Sequence, residues 1–296
     1  MDDSHTPIAA QPWAARLRVA ALTALALLAF AANSVLCRLA LAQGQIDAAG
    51  FTTVRLASAV LVLGLIVTLR GRGQRLRPPT RWRPPMFLFI YAVAFSYAYI
   101  DLPAATGALV LFGAVQITML AVATVQGHRL KAIEWFGAVL AFAGLVYLNL
   151  PGAQAPSLTG FILMTLAGAA WGLYTLAGRH SARPLADTAA NFTATLPLAL
   201  LLLVLALQAN AWSLPGVLLA AASGGLASGL GYVIWYAALG ALSPAQAAVL
   251  QLLVPILAGA GGVVFLAEAV TARLVFSAIM VLGGVLLVLR GRYRTN

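Results

Sequence analysis

The sequence predicts an all-α membrane protein: ten transmembrane helices arranged as two inverted five-helix repeats, with both termini in the cytoplasm. Three observations predict it. Apolar residues fill 62% of the 296 positions and charged residues only 8%, whereas soluble domains run near ~45–50% and ~25%. The apolar residues fall in runs long enough to cross the hydrocarbon, which takes ~20 residues per helix. Finally, Lys and Arg crowd into alternate connections, the pattern that orients a polytopic chain. So much Leu, Val and Ala excludes disorder, and no stretch is left for a soluble domain.

Each run is bounded by Gly, Pro or charge. The first, 17–41, follows Arg16. The second, 50–69, ends at the arginine block that runs from Arg70 to Arg83. The third, 86–103, is short and closes on Asp101-Leu102-Pro103, so the turn into the fourth, 105–126, must be tight. The fifth, 131–149, stops before Pro151-Gly152, and the sixth spans 158–180. The remaining runs are 187–208, 214–240, 244–267 and 271–290. None shows the period-2 alternation that a membrane barrel requires. Residues 1–16 and 291–296 are tails, and the five-helix units cover 17–149 and 158–290. Ala29-Phe30-Ala31 resembles a signal-peptide cleavage site, but the apolar pattern continues to Leu41, so a span is expected there.

The net charge of +11 would suit a nucleic-acid partner, but its placement argues for a bilayer instead. Arg16, Arg18, the Arg70–Arg83 block, Arg129, Lys131, Arg179, Arg183, Arg290, Arg292 and Arg294 all fall on the side of the termini, leaving only Arg273 in the opposite loops. Arg38 and Arg55 lie within spans. The lone Cys37 cannot form an intrachain disulfide, and His5, His128 and His180 are scattered with no metal-ligand spacing. No metal, cofactor or catalytic residue is expected.

A shift of 140 residues places Ala108 on Ala248, Phe136 on Phe276, Ala138 on Ala278 and Gly144 on Gly284. The period is five helices, an odd number, so the two copies cross the membrane in opposite senses. Inverted repeats are an architecture of secondary transporters, with substrate held near the midplane between the halves.

A set of ordered motifs carries a resemblance. Phe30-Ala31-Ala32-Asn33 leads to Arg38, and Arg55-Leu56-Ala57-Ser58-Ala59 opens the second span. Ala169-Ala170-Trp171 lies in the sixth, and Pro255 and Glu268 lie within and after the ninth. With the stretch from Thr106 to Met119, these make the chain similar to the ten-helix EamA-type exporters of the drug/metabolite transporter superfamily, and within them to the YddG-type amino-acid exporters. The usual Trp-Gly of the first span is replaced by Phe30-Ala31. In the first repeat Val115 or Gln116 stands for Pro and His128 for Glu.

Polar groups inside spans are costly unless paired or facing a cavity, so they are the first candidates for substrate contact. Asn33 either lines a cavity or bonds neighbouring helices. Gln116 is preferred to Thr118, which lies ~200° away around the helix. Tyr91, Phe95 and Tyr99 recur every four residues and share a face; Trp171, Tyr232 and Trp235 supply rings from other spans. Tyr99, Trp235 and Tyr236 are also open to an interfacial-belt reading. Replacing Phe30 is expected to matter less than replacing Trp171. Arg38 and Arg55 either snorkel outward or meet a substrate carboxylate, with Asp47 a partner for either. No Asp, Glu or His sits at a midplane, which leaves His128 and Glu268 as coupling or capping groups.

The function expected is an inner-membrane exporter of small organic metabolites, above all amino acids including aromatic ones, working by alternating access around a midplane cavity. A lipid or lipid-linked sugar flippase is the rival within transport. An intramembrane hydrolase would need a base beside its nucleophile, and no His falls well inside a span. The partners are a small-molecule substrate and the bilayer, without nucleic acid; a monomer satisfies the sequence.

Overall fold

The computed structural model describes residues 13–69, 78–79, 81–127, 130–152, 155–179, 181–206, 212–242 and 244–293. Among these the secondary structure is helical, with one isolated antiparallel bridge between Ile46 and Trp212. The first half contains α1 (Trp13–Ala42), α2 (Ala48–Leu69), α3 (Arg83–Ala98), α4 (Ala104–Val125) and α5 (Ala132–Asn149). The second contains α6 (Leu158–Gly178), α7 (Pro184–Leu205), α8 (Leu214–Leu239), α9 (Pro244–Gln251), α10 (Leu253–Leu266) and α11 (Ala272–Tyr293).

Among the described residues nine helices are long and apolar enough to cross a bilayer. Their outward faces carry side chains such as Leu65, Phe136, Phe142 and Ile279, each more than half exposed. Such faces need lipid, because monomeric soluble proteins rarely expose contiguous apolar surface. The chain is a multi-pass membrane protein. The shortest expected run differs: α3 has 16 residues, ~24 Å at 1.5 Å per residue. Pro84 and Pro85 open it, at positions where a missing N–H costs nothing. Tyr99–Pro103 then form the tight turn, with the Leu102 amide bonded to Ala98 O at 3.0 Å.

Two interruptions occur inside expected runs. The run 244–267 breaks at Leu252, between α9 and α10. Pro255 accounts for the break, since its ring clashes with the carbonyl of residue 251 and it donates no hydrogen bond. In α8 the stretch Ser223–Leu230 is π-helical, a widening often found at functional sites. Gly224 faces α2 so closely there that an added Cβ would collide with the Arg55 carbonyl and Ser58 Oγ. The small-residue run thus lets two backbones meet.

Helix packing follows a consistent scheme. α5 lies along α11, α2 along α7, α3 along α6 and α1 along α8. Glycines set the α5–α11 crossing. A Cβ on Gly137 would stand 2.5 Å from Gly284 O, and one on Gly144 would stand 3.1 Å from Ser277 O. Gly284→Ala is therefore expected to overpack this seam and lower stability by ~1–3 kcal/mol. Gly283 next to it faces open space, so Gly283→Ala should be neutral or slightly stabilising. Thermal melting in detergent compares the two; equal effects would show that the crossing is not backbone-limited.

The end of the bundle holding the α1–α2, α3–α4, α5–α6 and α7–α8 turns is cross-linked. Gly44, at φ +62, closes α1 in the left-handed region that favours glycine. Gln45 O accepts from both the Ser213 amide (2.9 Å) and Ser213 Oγ (2.8 Å). Asp47 pairs with neither Arg38 nor Arg55, contrary to expectation. Its carboxylate caps α2 through the Gly50 amide at 2.7 Å and accepts from Trp212 Nε1 at 2.8 Å. Arg273 Nη1 donates to Leu150 O at 2.6 Å.

Candidate functional site: aromatic rings around a buried arginine

The four-residue spacing on α3 puts Tyr91, Phe95 and Tyr99 in line. Their rings meet in sequence, Tyr91 and Phe95 tilted with centroids 5.4 Å apart and Phe95 and Tyr99 edge-on at 4.8 Å. All three are buried, Tyr99 completely. Its ring fills the place a Cβ would take on Gly107 of α4, and its hydroxyl points at Ala104 O. Tyr99 is therefore a packed core side chain and not part of an interfacial belt.

Trp171 of α6, half-buried, is the hub of the rings. Its centroid lies 4.7 Å from Tyr91, 5.4 Å from Tyr174 and 5.6 Å from Tyr232 of α8, the last pair stacked. Tyr232 extends the cluster to Phe192 of α7, to Tyr236 and to Phe30 of α1. Aromatic pairs of this kind contribute ~0.5–1.5 kcal/mol each beyond area burial, and here they join side chains from five helices. Trp235 faces elsewhere. It meets Phe30 edge-on at 5.8 Å within a neighbouring apolar cluster around Ala26, Leu27 and Ala108. Phe30, whose replacement is expected to matter less than that of Trp171, touches both groups.

The two intramembrane arginines have different surroundings. Arg38 is tied into the end of the bundle: Nε meets Glu268 Oε1 at 3.2 Å, and Nη1 donates to the carbonyls of Tyr99 (3.1 Å) and Ile100. Glu268 Oε2 accepts from the Ala104 amide at 2.8 Å, capping α4. A left-handed Ala267 (φ 52) and the Glu268 amide's bond to Gly262 O aim that carboxylate inward. Neither charged group is free.

Arg55 does not snorkel. It is 2% exposed and lies two turns inside α2. Its guanidinium sits 5.2 Å from the Tyr91 centroid and 4.7 Å from the Phe95 centroid. Nη2 donates to Tyr91 Oη at 2.8 Å. That hydroxyl also faces Asn33 Nδ2 at 3.4 Å, and Asn33 Oδ1 accepts from Ser223 Oγ at 2.5 Å. Ser223, Asn33, Tyr91 and Arg55 thus form one polar chain across four helices. Ser223 was missed at the sequence level because it stands in a run of small residues. Arg55 Nε and Nη1 have no acceptor among the described residues, and no carboxylate lies in salt-bridge range of it there.

Gln116, half-buried midway along α4, has no hydrogen-bond partner among the described residues and does not join this chain. His128 lies outside the described residues. Two cavities of about 250 and 290 Å³ open at the cross-linked end, one beside Asp101, Ser157 and Glu268 and one beside Asp47 and Tyr97. Neither is lined by Trp171.

Rings and polar groups drawn from separate helices of a multi-pass bundle are the kind of lining that small-molecule sites use. Residues 158–290 match the EamA-like transporter family. An uncharacterized protein of Pseudomonas aeruginosa is 48% identical over 277 residues, 93% of this chain and 96% of its own length. A protein of known crystal structure shares the fold with a TM-score of 0.62 at 23% identity, over 90% of this chain and 97% of that one. The match places residues 158–290, the second half of the chain, with the EamA-like transporter family, whose members are membrane transporters of small molecules.

Proposed function

We infer that the chain is an inner-membrane exporter of small organic metabolites, amino acids with flat side chains foremost, as in the YddG-type exporters it resembles. It works by alternating access between two inverted five-helix halves, with ten spans and both termini in the cytoplasm. The observation that carries this reading is the cluster of Trp171, Tyr91, Tyr232 and Arg55, drawn from both halves. Rings with few polar anchors make the walls of a small-molecule site.

The inverted arrangement is supported by helix packing. A shift of 140 residues exchanges α1 with α6 and α3 with α8, and the α3–α6 contact then becomes the α8–α1 contact. The same shift turns the Gly137–Gly284 approach into the Gly144–Ser277 approach. A pseudo-two-fold axis in the membrane plane has this effect.

The test is uptake of labelled phenylalanine into liposomes containing the purified protein. Solute is expected to equilibrate down its own gradient without an ion gradient, and a pH gradient alone should not concentrate it, since no midplane acid serves as a relay. Translocation of labelled lipid with no amino-acid movement would favour a flippase instead. Topology is checked separately. In a Cys37→Ala background, single cysteines replacing Gly73 and Gly152 should label from opposite faces, cytoplasmic and external. Labelling from one face would sink the ten-span inverted arrangement.

A further inference from the structure

Among the described residues, Arg55 is an intramembrane cation without a carboxylate in salt-bridge range. Removing a charge from water costs several kcal/mol even after relaxation. What the protein returns to it is limited to one hydrogen bond to Tyr91 Oη and two ring faces, while Nε and Nη1, with three N–H donors between them, have no acceptor among the described residues. A guanidinium kept only for packing is cheaper as an apolar side chain of similar volume. Arg38 shows what a satisfied arginine looks like in the same molecule: a carboxylate and two carbonyls surround it.

The free donors also occupy a telling place. The Tyr91 ring that lies over the guanidinium is the one that packs on Trp171, and Trp171 stacks on Tyr232. An anionic group on Arg55 would therefore have flat apolar surfaces within one ring's width, and parting Tyr91 from Trp171 would admit it.

We propose that Arg55 is the anion receptor of the transport site, which selects substrates carrying a carboxylate beside a flat apolar group and rejects those offering only an ammonium. This rests on the carrier reading above and adds the substrate's charge to it. The fork of a guanidinium matches the two oxygens of a carboxylate, and a site whose donors would be left unpaired discriminates strongly against a ligand that lacks the acceptor.

Three probes of one shape separate the possibilities: phenylalanine, 3-phenylpropionate and 2-phenylethylamine. Uptake is measured in liposomes, and thermal unfolding in nanodiscs of zwitterionic lipid. The two carboxylates are expected to be carried and to raise the melting temperature, and the amine to do neither. Arg55→Met should lose the ligand-induced shift and roughly 30-fold of carboxylate uptake, the scale for truncating one partner of a buried charge pair. Without ligand it should melt no lower than the parent, because an uncompensated charge has gone. Arg55→Lys keeps the charge without the fork and should fall between them. Carriage of phenylethylamine as fast as phenylalanine would overturn the proposal and leave the carrier reading standing. So would parental uptake by Arg55→Met. Arg55→Met melting well below the parent, together with parental uptake by Arg55→Lys, would make the side chain a packing post and overturn it too. If the parent carries none of the three and none shifts its melting, the carrier reading for flat metabolites fails and this proposal fails with it.

Discussion

Trp171→Ala is expected to cut the initial rate of phenylalanine transport by roughly 30-fold, the ~2 kcal/mol scale of an aromatic hot spot, while the protein remains inserted. Its ring joins α3, α6 and α8 through Tyr91, Tyr174 and Tyr232, so truncation removes the stacking surface at the point where they meet. Trp171→Phe should restore most of the rate. Trp235→Ala is the informative control: it empties the neighbouring cluster, should lower thermal stability, and should leave substrate preference unchanged. Gln116→Ala, outside the polar chain, should have the smaller effect on transport. Parental rates in Trp171→Ala across several substrates would mean that the site lies elsewhere.

Glu268→Ala should be the most destabilising of the polar substitutions, by roughly 2–4 kcal/mol. Loss of the α4 cap is worth ~1 kcal/mol, and leaving the half-buried Arg38 unpaired costs ~1–3 kcal/mol. Arg38→Met should destabilise less, and a double-mutant cycle of the two in thermal melts should give a coupling of about 1 kcal/mol or more. Additive effects would show that the pair does not act as a clamp. Glu268→Gln keeps an acceptor for the Ala104 amide and should lose only part of this stability. The same variant checks the driving force: uphill accumulation driven by protons in the parent, abolished in Glu268→Gln, would make Glu268 a coupling residue and overturn transport without an ion gradient.

Much of the fold was legible because hydropathy is a local sum. Apart from 244–267, the apolar runs fall on single helices whose ends lie near the Gly, Pro or charged residue that bounded them, and Asp101-Leu102-Pro103 marked a tight turn. The break at Leu252 was also written in the chain, in Pro255 four positions beyond residue 251, though the run was read through it. The π-helical stretch of α8 was not legible. Ser223–Leu230 advertises small residues, but neither its widened geometry nor the close approach of Gly224 to the α2 backbone can be read from that composition.

Of the candidate site, the α3 ring face was predictable because four-residue spacing alone sets it. The meeting of Tyr91 with Trp171 and Tyr232 was not, since it depends on how α3, α6 and α8 cross.

The sequence by itself determined that this is a helical membrane protein, because burial in lipid requires long apolar runs whatever the packing between them. It also placed two arginines at comparable depth near one end of their spans, and at that level they were equivalent. Only the tertiary structure decided between them. Arg38 meets Glu268, 230 residues away, and is satisfied; Arg55 meets Tyr91, 36 residues away, and its Nε and Nη1 find no acceptor among the described residues. Helix formation depends on neighbours in the chain. The satisfaction of a buried charge depends on which distant groups the packing brings within about 3 Å, and no local pattern encodes that.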